Sequence, residues 1–161
     1  MTLEILADLR EKSSWTFRDV KKYAPDAPDY TLSQRHLSTG DYTLEGHESA
    51  CCLERKSRKD FINTLTQDTR RFLTEFSRMD KMKFSAVIVE DRLETFLRGE
   101  TSPGQMVRRL ENPRDFFAQY LLFRCLFPRV QWYFCRSPAE AEFRAFSLLA
   151  LWDERLNGKK I

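Results

Sequence analysis

The sequence predicts an α/β fold, a central mixed β-sheet flanked by helices on both faces. Three observations carry that expectation. Short apolar runs of strand length interleave with stretches of helical period along the chain. The most apolar run, Phe84-Ser85-Ala86-Val87-Ile88-Val89, has the β-branched character of a strand covered on both faces. The early strands follow one another as in an antiparallel meander, and the later ones are separated by helices as in strand-helix-strand units.

Leu3 to Ala7 reads as the first strand and delivers Asp8, Arg10 and Glu11 to its end. Ser14 is a candidate cap for a short helix with Phe17, Val20 and Tyr23 at helical spacing, which Pro25 and Pro28 break. Tyr30 to Leu37 is extended, Gly40-Asp41 sits where a turn meets the next strand, and Gly46-His47 is the tip of a hairpin leading into a strand from Ser49 to Lys56. From Asp60 the period changes: Phe61, Ile62 and Leu65 fit one helical face, and Phe72, Leu73, Phe76 and Met79 fit another. After the strand that ends before Glu90 and Asp91, Arg98 to Gly104 reads as a mobile loop. Asn112-Pro113 then opens a helix to Phe127 that is apolar nearly all round, as deep burial or a homodimer face would require. Val130 to Cys135 is a further strand, and Ser137-Pro138-Ala139-Glu140 is a capping box for the last helix. The aromatic residues fall largely on core faces; Trp15 is the exception, with no pattern to explain it.

With 161 residues, 42% hydrophobic and 32% charged, the composition fits one soluble globular domain over 1–161. No apolar run approaches the roughly 20 residues that span a bilayer, and Met1 to Glu4 lacks the basic and apolar regions of a secretory signal, so a cytoplasmic protein is expected. Cys51, Cys52, Cys125 and Cys135 have no C-x-x-C spacing and only two histidines to assist them, which argues for buried thiols against a zinc site. A net charge of +3 says little, but Arg55, Lys56, Arg58 and Lys59 form a cluster beside acids that can bind metal, so phosphate contact competes there with a merely solvated face.

The chemistry concentrates where Ala50 to Lys56 runs as a strand. Side chains alternate with period two, so Glu54 and Lys56 share a face. A carboxylate that binds a divalent cation, beside an ammonium near the attacked phosphate, is the equipment of phosphodiester hydrolysis. A hard cation prefers several oxygen ligands. Asp41, after the tightly turning Gly40, is the best second acid, and Asp8 and Glu11 are further candidates. Magnesium or manganese fits such donors.

These residues form a longer pattern, Gly40-Asp41 followed by Glu54-Arg55-Lys56-Ser57-Arg58-Lys59-Asp60, preceded by Asp8-Leu9-Arg10-Glu11 and followed by Arg71-Phe72. In this the chain resembles the XPF family of structure-specific DNA endonucleases, whose nuclease domain carries G-D, a spacer and E-R-K-x-x-x-D. The resemblance implies a restriction-endonuclease-like fold, dependence on magnesium or manganese, and cutting of DNA at branches, flaps or junctions. It assigns Asp41 and Glu54 to the metal with Asp8 close by, places Lys56 at the water and phosphate, and gives Arg10, Glu11, Arg55 and Asp60 supporting roles in the catalytic site. Arg55, Arg58, Lys59 and Arg71 are the expected DNA contacts. Arg55 faces away from Glu54 in a regular strand, so it makes either a phosphate contact or a buried ion pair, with Asp60 as one partner. Many family members append helix-hairpin-helix modules, for which 161 residues leave no room, as in compact stand-alone versions. Two other readings stand beside the nuclease: a catalytically silent DNA-binding or scaffold module, which predicts eroded acids, and an interaction protein in which the charges are merely paired.

Overall fold

A computed structural model of the chain describes residues 2–98 and 113–158. Most of the expected loop from Arg98 to Gly104, and the expected cap Asn112, lie outside the described residues. Six strands, β1 (Leu3–Asp8), β2 (Tyr30–Arg35), β3 (Tyr42–Leu44), β4 (Cys51–Lys56), β5 (Phe84–Val89) and β6 (Val130–Phe134), form one sheet in the order β2-β1-β3-β4-β5-β6. The helices are α1 (Val20–Tyr23), α2 (Arg58–Thr66), α3 (Thr69–Met79), α4 (Leu93–Leu97), α5 (Pro113–Leu126) and α6 (Pro138–Leu156).

The sheet is mixed, with helices on both faces, as expected. Alternation along the strands sorts the core into two clusters. Cys51, Leu53, Ala86 and Ile88 join Phe146 and Leu149 of α6, together with Trp15, Phe17 and Val20 from the segment leading into α1. Cys52, Val87 and Val89 join Phe61 of α2, Phe72 and Phe76 of α3, Phe96 of α4 and Phe123 of α5 on the other face. Every residue of β5 is buried, as its continuous apolar run requires. Among the described residues no helix is long and apolar enough to cross a membrane.

The first half is not a simple meander. β3 pairs antiparallel with both β1 and β4, but β2 lies on the far side of β1 and runs parallel to it, with Leu3 opposite Tyr30 and Asp8 opposite Arg35. The segment between β1 and β2 is long enough to return the chain to the starting edge, and it is anchored to α6, where the Thr16 and Phe17 amides donate to the Glu142 carboxylate. The expected Ser14-capped helix shrinks to the single turn of α1. Phe17 takes φ 58°, which breaks a helical path, and the Ser14 hydroxyl donates to Glu11 O instead of capping.

Caps fix the later helices. Ser57 accepts from Asp60 N at 3.2 Å and starts α2 directly after β4. Ser137 accepts from Glu140 N as its motif predicts, while the Glu140 carboxylate returns to Arg136 N, one residue before the expected position. The helix expected to be apolar all round divides its faces: Phe116, Tyr120 and Phe123 of α5 are buried and Leu121, Leu122 and Leu126 are exposed. Cys51, Cys52 and Cys135 are buried thiols, but Cys125 is exposed.

Candidate active site

β3 is antiparallel to its two neighbours, so the ends of β1 and β4 and the start of β3 meet at one edge of the sheet. That edge collects Asp8, Asp41 and Glu54 along a cleft of about 610 Å³ whose opposite wall is α3. Gly40 makes the approach possible: with φ 73° and no side chain, it lies against Cys52, where a Cβ would come within 2.8 Å of Cys52 Cβ. The next residue is then locked to both flanking strands, Asp41 N donating to Leu53 O and Asp41 O accepting from Asp8 N, each at 2.8 Å.

Glu54 and Lys56 share a face, as the strand period predicts. Lys56 Nζ donates to Glu54 Oε1 at 2.5 Å, with both side chains less than 10% exposed, and the ammonium rests 3.8 Å from the centre of the Phe72 ring. Asp41 Oδ2 accepts from Arg55 N at 2.8 Å. Its Oδ1 takes no hydrogen bond from the described residues. Burial, and next the charge of Glu54, push the Asp41 carboxyl well above its ordinary range. Burial pushes Glu54 upward as well, against the lowering pull of Lys56. Burial is the larger cause in both, and Lys56 does not offset it.

Asp8 has a different environment. Oδ1 accepts from Arg10 N and Nε, and Oδ2 accepts from Arg10 Nη2 and Leu37 N. Burial opposes the charge, but these hydrogen bonds prevail and bring its pKa from 3.8 down to about 2. Asp8 and Arg10 therefore clamp the end of β1 onto the segment after β2, where Arg10 Nη2 also donates to Leu37 O. Asp8 lines the cleft with its oxygens already engaged.

Arg55 turns to the opposite face, and of the two alternatives the sequence leaves open the structure has the ion pair. Its partners are not Asp60 but Glu90, just beyond β5, and Glu11: Nε and Nη2 reach Glu90 at 2.7 and 3.0 Å, and Nη1 reaches Glu11 Oε1 at 3.0 Å. The guanidinium also lies 5.6 Å from the Trp15 ring centre. Trp15, unexplained in the sequence, stacks on Tyr42 and donates its indole N–H to Glu90. Asp60 is exposed, and its carboxylate accepts from the Ser57 hydroxyl at the start of α2.

The expected DNA contacts separate. Arg71 and Lys59 are exposed, and Arg71 lines the cleft. Arg58 is largely covered, paired with Asp91 at 3.2 Å and set against the Phe96 ring. Two residues escaped the sequence reading. Glu90 had no motif to mark its link to Arg55. Glu75 of α3 lines the cleft and accepts from Gly40 N at 2.9 Å; its one signal is its place four residues after Arg71 on one helical face.

The oxygen donors of Asp41 and Glu54, facing one cleft, fit a hard divalent cation. Among the described residues no group of three metal-binding side chains converges. Two acids are a usual protein share for magnesium, which keeps waters and substrate phosphates as its other ligands.

No match was found among curated proteins. Among solved structures the chain is similar to XPF from Aeropyrum pernix, with a TM-score of 0.66 at 20% identity over 96% of this chain and 67% of that one. It is similar also to XPF from Aeropyrum pernix in complex with DNA, with a TM-score of 0.63 at 18% identity over 96% of this chain and 66% of that one. The chain spans about two-thirds of the length of both, and the likeness is one of fold. The ERCC4 domain matches residues 8–141, a span that holds Asp8, Asp41, Glu54 and Lys56. On that match the chain belongs to the ERCC4 domain family, the XPF family of DNA nucleases.

Proposed function

We propose that the protein is a magnesium- or manganese-dependent DNA endonuclease that hydrolyses phosphodiester bonds at branched, flap or junction DNA. The observation that carries this reading is the convergence of half-buried Asp41 and buried Glu54 on one cleft, with Lys56 beside them. Family membership supports nuclease chemistry, and a similar fold described in complex with DNA supports the substrate class.

Asp41 and Glu54 would hold the metal. When bound, it would supply positive charge for the developing phosphorane and acidify water. Lys56 has the other task. Its ammonium, kept from bulk solvent by Phe72, can transfer its hydrogen bond from Glu54 to a phosphate oxygen or the attacking water. Arg55 maintains the site from behind, its amide on Asp41 and its guanidinium on Glu11. Asp8 and Arg10 hold the end of β1 in place. Arg71 at the cleft and Lys59 on α2 would meet the DNA backbone, each weakening with salt as phosphate contacts do. A homodimer through the α5 face that exposes Leu121, Leu122 and Leu126 belongs to the same reading.

The test is a panel of labelled single-stranded, duplex, flap and branched DNA incubated with the protein in magnesium, manganese or EDTA. Metal-dependent cutting that prefers flap or branched substrates is expected. Binding of DNA without cutting on any substrate would favour the catalytically silent module.

A further inference from the structure

The turn that presents Asp41 is held from outside the sheet as well as within it. Inside, Gly40 is pressed against Cys52 and Asp41 is tied to β1 and β4. Outside, Gly40 N donates to Glu75 Oε1 at 2.9 Å, across 35 residues of sequence. Arg78, one turn further along α3, donates to the second oxygen of Glu75 and steadies the carboxylate. Glu75 lines the same cleft as Asp41 and Glu54, with its side chain 19% exposed. No other side chain among the described residues joins α3 to this turn by a hydrogen bond.

We propose that Glu75 is a positioning residue for the reaction. By accepting the Gly40 N–H, its Oε1 fixes the turn and with it the Asp41 carboxylate opposite Glu54. The need is physical: the Gly40 amide is partly buried, and without Glu75 it would lose its acceptor, leaving a polar group that only a shift of the turn could satisfy. Asp41 follows immediately, so such a shift is passed to a metal-binding carboxylate, and misplacement there is costly to metal affinity and rate. The turn uses the Oε1 acceptor, which a glutamine at position 75 also supplies, while its amide nitrogen gives up the steadying bond from Arg78. An acid acting as a metal ligand would have the opposite requirement.

The catalytic part of this inference rests on the nuclease reading; the structural part does not. Glu75→Ala and Glu75→Gln are compared with the parent in three measurements: Mn2+ affinity by calorimetry, amide exchange at Gly40, and kcat and KM on DNA. For Glu75→Ala, Mn2+ affinity should fall about tenfold or more, the range for removing a group that orients a metal ligand, with faster Gly40 exchange and a loss in kcat larger than any change in KM. Glu75→Gln should restore most of each loss. Parent-like Mn2+ affinity in Glu75→Ala, or a Glu75→Gln as impaired as Glu75→Ala, overturns the proposal. If the parent cuts no DNA, the nuclease reading falls, while Mn2+ affinity and Gly40 exchange still decide the role of Glu75.

Discussion

Arg55 and Glu90 form a two-pronged ion pair, Nε to Oε1 at 2.7 Å and Nη2 to Oε2 at 3.0 Å, with the two side chains 15% and 7% exposed. It joins β4 to the end of β5, and through Arg55 Nη1 it reaches Glu11 as well. Arg55 is thus a strut behind the cleft, with its backbone N–H on Asp41 and its head on two acids.

Removing Glu90 leaves a largely buried guanidinium short of its main partner. Glu90→Ala should destabilise the protein by about 3 kcal/mol, the usual scale for breaking a buried pair from one side, as read by urea unfolding. A cost near zero would mean that Glu11 alone satisfies Arg55. Arg55→Lys should lose most of the same energy, since an ammonium cannot repeat the fork.

Asp8 governs the acid limb of stability. Its pKa is lowered from 3.8 to about 2, so its contribution is present above 3.8 and is lost as pH falls toward 2. A shift of that size corresponds to about 2 kcal/mol at neutral pH. Asp8→Asn should lower neutral-pH stability by about that amount and flatten the fall between pH 4 and 2, followed by urea midpoints across that range.

Lys56 is expected to separate rate from metal binding. In Lys56→Met an apolar side chain replaces the ammonium that lies over Phe72. Cleavage should drop by about 100-fold or more, the range for removing one hydrogen-bond donor aimed at developing charge. Mn2+ affinity by calorimetry should hold or rise, because Glu54 loses a competitor 2.5 Å away. Weakened Mn2+ binding would place Lys56 in the support of the metal site instead.

Gly40→Ala combines φ 73° with a Cβ 2.8 Å from Cys52 Cβ, and both partners of that clash are rigid. A cost of about 2 kcal/mol or more is expected from the strained backbone alone, with cleavage lost because Asp41 moves with the turn. Unfolding and cleavage assays on the same preparation check both.

That Glu54 and Lys56 share a face is legible because it depends on nothing but strand periodicity. The buried β5 and the Ser137 cap were equally local. Arg55 was only half legible: the period turned it away from Glu54, but Glu90 comes alongside because β4 and β5 run parallel with Lys56 opposite Val89. Trp15 was opaque for a similar reason, since Tyr42 and Glu90, which hold it, are distant in sequence. The parallel placing of β2 beside β1 was missed because closeness in sequence suggested a meander, whereas the long segment from Leu9 to Asp29 carries the chain back to the sheet edge. Asp8 reads as a candidate ligand from its charge, and nothing local shows that the Leu37 amide claims one of its oxygens.

The proposed metal ion accounts for the placing of two partly desolvated carboxylates, Asp41 and Glu54, on one cleft. Burial and the neighbouring charge raise the Asp41 pKa, so the metal-free protein should lose stability as pH rises through the folded Asp41 value. Asp41→Asn should therefore leave a fold at least as stable as the parent at neutral pH, whereas Glu54→Gln leaves the buried Lys56 ammonium without its charge partner. The decisive measurement is cleavage of labelled DNA in Mn2+ by Asp41→Asn and Glu54→Gln, each first shown by urea unfolding to be folded. Loss of cutting to the level seen in EDTA, with stability kept or increased in Asp41→Asn, is the predicted result; cutting that survives either substitution would contradict it.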